Sequence, residues 1–303
     1  TLKNGATLTF NSNTTDKHGY EDIKTDLIIE DGAEVTVNFD RNLVHTGKLV
    51  GGKDVVFNMG LKYLREHFMG DWSEFEGRIN MTPWEPFDGS GNAFFIMCDT
   101  LGIAEYDADG NYLATYPAAT FVIDSSKVND LGYSYTKRVP LGYPKAHIHL
   151  NDKAYLYSGG NMSNSAASHA YPSSDITVCH VGALSGTAAA VLGSGCQQRG
   201  SFETNWYIGG LNTNEVYEGK IDNSGYKKNA KATHIHKVGT GDWRLTNEKL
   251  TNVGNYCVEE GSLTILGQVT TTSSVIVKAG AALKGNPVFT AAGTAEISGA
   301  LEP

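Results

Sequence analysis

The chain has 303 residues, with 33 Asp and Glu against 24 Lys and Arg and a formal charge of −9. That balance excludes the Lys and Arg clusters that nucleic-acid phosphates or an anionic membrane surface demand, and no apolar run approaches the length of a membrane span. Charged residues are 19%, with 35 Gly, 15 Tyr and 8 Pro, fewer charges than a typical globular chain and a composition common in extracellular β proteins. The chain opens mid-pattern at Thr1 and Leu2 without a signal peptide, so an excised module is expected.

A strand-turn phrase begins at Lys3 to Phe10 (KNGATLTF) and returns at Glu30 to Val37 (EDGAEVTV). It comes back at Glu259 to Ile265 (EEGSLTI) and Lys278 to Leu283 (KAGAAL). Each copy has a Gly at a corner, where a side chain would resist the turn, then apolar residues at alternate positions, which share one face of a strand. From Gly5 to Gly32 is 27 residues and from Gly261 to Gly280 is 19. Repetition at that period marks a solenoid, whose coils stack to share a core none could build alone. The fold class expected is all-β, a single-stranded parallel β-helix over residues 1–303, with irregular, loop-rich insertions at about 60–145.

Rungs run from Thr1 to Phe57, with Leu27 to Ile29 leading into the Gly32 corner and a strand at Lys53 to Phe57. Leu61 to Phe68 (LKYLREHF) has the pattern of one or two helical turns. Gly70 to Tyr143 is irregular and rich in aromatics. Within it, Tyr106 to Tyr112 (YDADGNY) predicts a hairpin, because Asp-Gly and Gly-Asn favour positive φ. From Ala146 the rungs become regular. Strands are expected at 147–150, 154–157, 176–180, 206–208, 216–221, 234–238, 243–246, 256–258, 263–266 and 275–278. Residues 159–174 read as a polar loop.

The phrase His236 to Thr246 (HKVGTGDWRLT) resembles the K-V-G-T-G-x-W-x-L-x unit of autotransporter-associated β-strand repeats. Tyr207 to Thr213 (YIGGLNT) and Tyr217 to Ile221 (YEGKI) resemble the stretch that often precedes it, and Gly70 to Ile79 (GDWSEFEGRI) another phrase of such proteins. These phrases cover the last third of the chain well and the middle in patches. A β-helix of this size and type resembles carbohydrate-binding module family 89. The resemblance implies a right-handed, non-catalytic parallel β-helix that binds xylan beside a xylanase-type catalytic domain. It transfers no ligand-contact motif residue by residue.

A sugar ring stacks its C–H face on Trp or Tyr, while its hydroxyls bond to polar groups. Trp72 and Trp243 sit in repeat phrases, so packing at a rung is their expected role; Trp206 precedes such a phrase and could serve either role. Trp84 lies between Pro83 and Pro86, outside every repeat, and is the leading stacking candidate; a loop anchor is the plain alternative. Tyr112, Tyr135 and Tyr157 are spaced by 23 and 22 residues, and Tyr133 and Tyr155 by 22. With coils of that length these tyrosines would stack ~4.8 Å apart, either as an exposed ladder for an extended polysaccharide or as an internal aromatic stack. Around Leu156, an inward Leu with Tyr155 and Tyr157 outward fits the alternation. The expected ligand-binding set is Trp84, Tyr112, Tyr133, Tyr135, Tyr155 and Tyr157.

Two H-x-H pairs, His147/His149 and His234/His236, each share a strand face, a geometry that suits metals. They are 87 residues apart, too far to share an ion, and neither has an evident third ligand, so solvent-facing histidines are expected. Asp107 to Asn111 resembles the start of a calcium loop, but the twelfth position is Ala118 where an acid is required. A turn is expected there, with calcium the lesser alternative. Cys98, Cys179, Cys196 and Cys257 form no C-x-x-C pair and read as buried thiols, with a Cys179–Cys196 bridge the lesser alternative. Lys137, Arg138, Asp99, Asp124 and Asp130 are scattered candidates for lyase or hydrolase chemistry, joined by no motif.

The function expected is a secreted or cell-surface carbohydrate-binding module, not an enzyme, that needs no cofactor or metal. Its partners would be xylan or a related plant polysaccharide and an attached glycoside hydrolase. Two rivals stand beside it: a β-helix polysaccharide lyase or hydrolase, which would cleave its ligand, and an adhesin-type passenger, which would bind no soluble glycan.

Overall fold

The computed structural model describes residues 1–11, 21–40, 43–61, 66–68, 71–83, 95–98, 104–106, 112–114, 120–124, 128–133, 141–151, 154–158, 176–193, 203–223, 232–252, 254–270, 274–290 and 293–303. These residues form strands, turns and connections with no helix, and none of their segments is a helix long and apolar enough to cross a membrane. The chain is all-β and its pairing is parallel, the hairpin of Ala104–Tyr106 with Tyr112–Ala114 being antiparallel. That hairpin sits where the Asp-Gly-Asn turn predicted it.

One ladder runs through twelve strands. It begins with Thr7–Phe10, Glu34–Phe39, Val56–Leu61 and Arg78–Pro83. It continues through Thr120–Asp124, Leu141–Asn151 and Ile176–Gly186. It ends with Glu215–Tyr217, Asp242–Leu245, Ser262–Ile265, Ala282–Lys284 and Ala300–Glu302. The long strands Leu141–Asn151 and Ile176–Gly186 also pair at their N-terminal ends. There a second ladder continues through Glu203–Ile208, Thr233–Lys237, Tyr256–Val258, Val275–Val277 and Ala295–Ile297. Sharing those two strands joins both ladders into one 17-stranded sheet. A separate eight-stranded sheet runs from Glu21–Ile23 to Lys220–Ile221. The arrangement is solenoid-like: the chain returns to each ladder one strand further along, always in the same direction.

The repeat phrases explain the corners. Gly5, Gly32, Gly261 and Gly280, one in each phrase, have φ of 77°, 69°, 63° and 84°, a region costly for residues with a Cβ. A turn hydrogen bond closes these corners, as from Ala33 N–H to the Glu30 carbonyl (3.0 Å) and from Ala281 N–H to that of Lys278 (3.1 Å).

Coil length is not constant. Asn58 and Asn80 are 22 residues apart on neighbouring strands, His149 and Ser185 are 36, and Asp242 and Ser262 are 20. Ile79 pairs directly with Phe121, so residues 80–120 make a single circuit. Most strands expected after Ala146 are found within one to three residues of their bounds, but two extend much further, as Leu141–Asn151 and Ile176–Gly186. The expected strand 216–221 divides into Glu215–Tyr217 and Lys220–Ile221. The helical turn expected at 61–68 is corrected where described. Leu61 closes one strand and Glu66–Phe68 forms another, paired with Leu43–His45 and Phe95–Cys98. Pairing on both sides outweighs a local helical pattern.

Inward positions stack in columns. Val35, Phe57 and Ile79 are successive partners, all buried; Trp243 and Leu263 do the same near the other end. Trp72 and Trp243 fill the core as their place in the repeats predicts, and so does Trp206. Trp206 donates to the Gly193 carbonyl (2.9 Å) and Trp243 to that of Leu184 (2.9 Å). Cys179 and Cys257 are buried thiols, as read from the sequence. Ile297 and Leu301 continue the columns of Val277 and Leu283 but are 40% and 62% exposed. An apolar cavity of about 470 Å³ lies beside them, because no described strand stacks beyond them.

Two polar groups interrupt the apolar interior. Lys237 occupies the column Val181, Ile208, Lys237, Val258, Val277. Its ammonium donates to the carbonyls of Val238 (2.8 Å), Gly239 (2.6 Å) and Glu260 (3.3 Å), and burial pushes its pKa down to about 8. The lysine of the K-V-G-T-G phrase is thus a clasp on the corner that follows it. His45 is fully buried between Phe10 and Phe39 and donates from Nε2 to the Thr25 carbonyl (2.9 Å). Burial holds its pKa below the ordinary histidine value, outweighing that hydrogen bond and the nearby Asp26 and Asp22.

Two outcomes follow. Lys237→Met keeps the stem but removes three donors to buried carbonyls, and should cost about 1–3 kcal/mol in chemical denaturation. His45 stays neutral when folded while the unfolded chain takes up its proton near pH 6.5. Its stabilising contribution is therefore complete above that pH and lost as pH falls below it. The thermal midpoint should drop more between pH 7.5 and 5 in the wild type than in His45→Gln.

Candidate functional site

The outer face of the second ladder holds the densest cluster of functional side chains among the described residues. Alternation along Thr233–Lys237 buries Thr233, Ile235 and Lys237 and leaves His234 and His236 on the other face, half-buried. His180, Tyr207 and His236 occupy one outward column. Their rings stack, His180 on Tyr207 with centroids 4.9 Å apart and Tyr207 on His236 at 4.2 Å, nearly parallel. These rings cover one another's faces, so the column is a poor platform for sugar stacking, which needs an open face.

Cys257 follows His236 in register, and Glu259 lies two residues further on. Glu259 meets His236 Nδ1 through Oε1 at 2.8 Å and accepts from Lys278 Nζ through Oε2 at 2.9 Å. His236 Nε2 meets Asn205 Oδ1 at 3.1 Å. Burial raises the Glu259 pKa, but hydrogen bonds from Lys278 and His236 outweigh it and hold the carboxyl below its ordinary range. Burial, then the Glu259 charge, pushes the Cys257 thiol up. His234 accepts from the Asn255 N–H through Nδ1 (3.0 Å), with Glu203 3.5 Å from Nε2. Burial lowers its pKa despite that carboxylate.

The other H-x-H pair belongs to the twelve-strand ladder. Ser185 Oγ lies 2.8 Å from His147 Nε2 and 2.7 Å from His149 Nδ1, and Glu215 Oε2 is 3.6 Å from the same His147 Nε2. Ser, His and Glu thus meet, but not as a nucleophilic triad. A triad needs the serine and the acid on opposite ring nitrogens, whereas here both address Nε2. Burial keeps His147 below its ordinary pKa, against the pull of Glu215. The expectation of solvent-facing histidines is therefore corrected. All four are half-buried and hydrogen-bonded, because neighbouring coils bring polar partners to each ring.

Of the expected ligand-binding residues, Trp84 and Tyr135 lie outside the described residues. The Asp107 to Asn111 turn, Lys137 and Arg138 lie outside them too. Tyr112 opens a strand of the antiparallel hairpin, opposite Tyr106. Tyr133 ends Val128–Tyr133, and the next strand of that sheet, Tyr155–Ser158, carries Tyr155 and Tyr157. The backbone thus brings Tyr133, Tyr155 and Tyr157 onto adjacent strands, and Leu156 between the last two is buried as expected. The register differs from the spacing argument. Tyr155 pairs with Val128 and Tyr157 with Asp130, while Tyr133 pairs with Cys98. The local coil exceeds 22 residues, so Tyr155 does not stack on Tyr133.

Ser185, Asn205, Tyr207, Glu215, Cys257, Glu259 and Lys278 were not singled out as functional in the sequence. A signal existed in the outward positions of His180, Tyr207, His236 and Cys257, but unequal coil lengths hide it. No family model, curated protein or solved structure matches the chain.

If the Ser185 cluster is structural, an organophosphorus serine-hydrolase probe should leave Ser185 unmodified after hours at pH 7.5, checked by peptide mass spectrometry. Covalent labelling of Ser185 would make it a nucleophile.

Proposed function

We propose that the chain is a non-catalytic carbohydrate-binding module on a right-handed single-stranded parallel β-helix. It binds plant cell-wall polysaccharide, with xylan the first choice, through stacking on Trp84, Tyr112, Tyr133, Tyr135, Tyr155 and Tyr157 and hydrogen bonds from nearby polar groups. Secreted with an attached glycoside hydrolase, it would raise the local concentration of substrate around that enzyme.

The observation that supports this reading best is the twelve-strand parallel ladder. At ~4.8 Å per strand it extends roughly 50 Å, a regular face scaled to an extended polymer rather than to a small molecule. Its outward positions carry a polar row. Asn58 donates to Glu34 (2.9 Å), Asn80 donates to Asn58 (2.8 Å), and Arg78 donates to Asn80 (2.7 Å). Each amide nitrogen has two N–H donors and spends one within the row, leaving one for a sugar hydroxyl. With Trp72, Trp206 and Trp243 committed to the core, Trp84 is the tryptophan left for stacking.

Affinity electrophoresis against a polysaccharide panel, with product analysis of the same samples, tests the proposal. Retardation by xylan without new reducing ends is expected. Trp84→Ala should weaken it by about tenfold, a stacking contact of about 1.4 kcal/mol, with the thermal midpoint nearly unchanged. New reducing ends or unsaturated products would make the chain an enzyme. Neither retardation nor products would favour the adhesin-type reading.

A further inference from the structure

His236, Cys257 and Glu259 bring one nitrogen, one sulfur and one carboxylate oxygen within 4.8 Å of one another. The fold places them there by register: His236 and Cys257 are direct partners on adjacent strands, and Glu259 is the next outward position after Cys257. The His236 ring is fixed twice, by its stack on Tyr207 at 4.2 Å and by Asn205. The Asn205 amide oxygen is an acceptor, so His236 Nε2 carries a proton toward it. In the neutral ring Nδ1 then presents a lone pair, and it does so 2.8 Å from Glu259 Oε1. Two acceptors at that distance need a cation between them, either a proton or a metal ion.

We infer that these three residues form a divalent metal site of the zinc class. Nitrogen, thiolate and carboxylate donors together suit zinc, and three protein ligands leave a fourth position for water. Asn205 plays the part that an outer hydrogen-bond acceptor plays for a ligating histidine, fixing its tautomer and ring orientation. Loading breaks the Cys257 S–H bond and forms a metal–sulfur bond, and the displaced proton leaves to solvent. Lys278 holds Oε2 of Glu259 and leaves Oε1 for the ion. Its positive charge opposes a second cation, so Lys278 tunes the affinity downward. The site tethers strands Thr233–Lys237 and Tyr256–Val258 on the outer face and is independent of glycan binding.

The test is titration of the chelator-treated full chain with cobalt(II), followed by competition with zinc. One equivalent should bind with a thiolate-to-cobalt charge-transfer band in the near ultraviolet, and zinc should abolish that band. Cys257→Ser should remove the band. Asn205→Leu should weaken binding about tenfold, and Lys278→Gln should tighten it. The last variant alters an exposed side chain, so it reports even where Cys257→Ser fails to fold. No band in the wild type, a band that persists in a folded Cys257→Ser, or weaker binding by Lys278→Gln would overturn the site. His236 and Glu259 would then share a proton alone.

Discussion

Parallel, in-register stacking of one coil on the next is the constraint on which this protein depends. A single coil exposes one row of apolar side chains on each strand and cannot bury them. Stacked coils bury each row against its own counterpart, so Val35 meets Phe57, which meets Ile79. The same register that builds the core aligns the outward residues, at no further conformational cost. His180 lies on Tyr207, Tyr207 on His236, and His236 beside Cys257 because Cys179, Trp206, Ile235 and Tyr256 are aligned beneath them.

The corners carry the second requirement. Each circuit must turn without leaving buried backbone groups unsatisfied. Glycines at positive φ meet it in the repeat phrases. In the K-V-G-T-G phrase, Gly239 turns the backbone at φ 71°, and Lys237 sends a charged amine inward to three carbonyls. A lysine within an apolar column would be costly alone; bonded to the corner, it satisfies backbone groups that the turn leaves open. The phrase is a structural device, which is why it specifies architecture and says little about ligand.

The two faces of the ladders differ in chemistry. The twelve-strand ladder carries amides and hydroxyls in rows, including Glu34, Asn58 and Asn80 and the Asp242 carboxylate that accepts from Ser262 and Thr264. The second ladder carries imidazoles, a thiol and a carboxylate packed tightly enough to perturb one another's protonation. A polar, regular face suits a repeating uncharged polymer, and a compact cluster of mixed donors suits an ion. The glycan proposal rests on the first and the metal proposal on the second.

The sequence alone determined what depends on local pattern. The corner glycines, the alternation of apolar residues, the Asp-Gly-Asn hairpin and most strands after Ala146 were legible because each is written within some ten residues. The core roles of Trp72 and Trp243 were legible too, from their place in the repeats. Only the tertiary structure decided what depends on the length of each circuit. Coil lengths that change from 20 to 36 residues erase any fixed period. Nothing local shows that Tyr155 faces Val128 rather than Tyr133, that Ser185 reaches both His147 and His149, or that Glu66–Phe68 is a strand. The His236, Cys257 and Glu259 cluster has the same origin. Its members lie more than twenty residues apart along the chain, and they meet because strand pairing fixes side chains on neighbouring coils within one hydrogen-bond spacing.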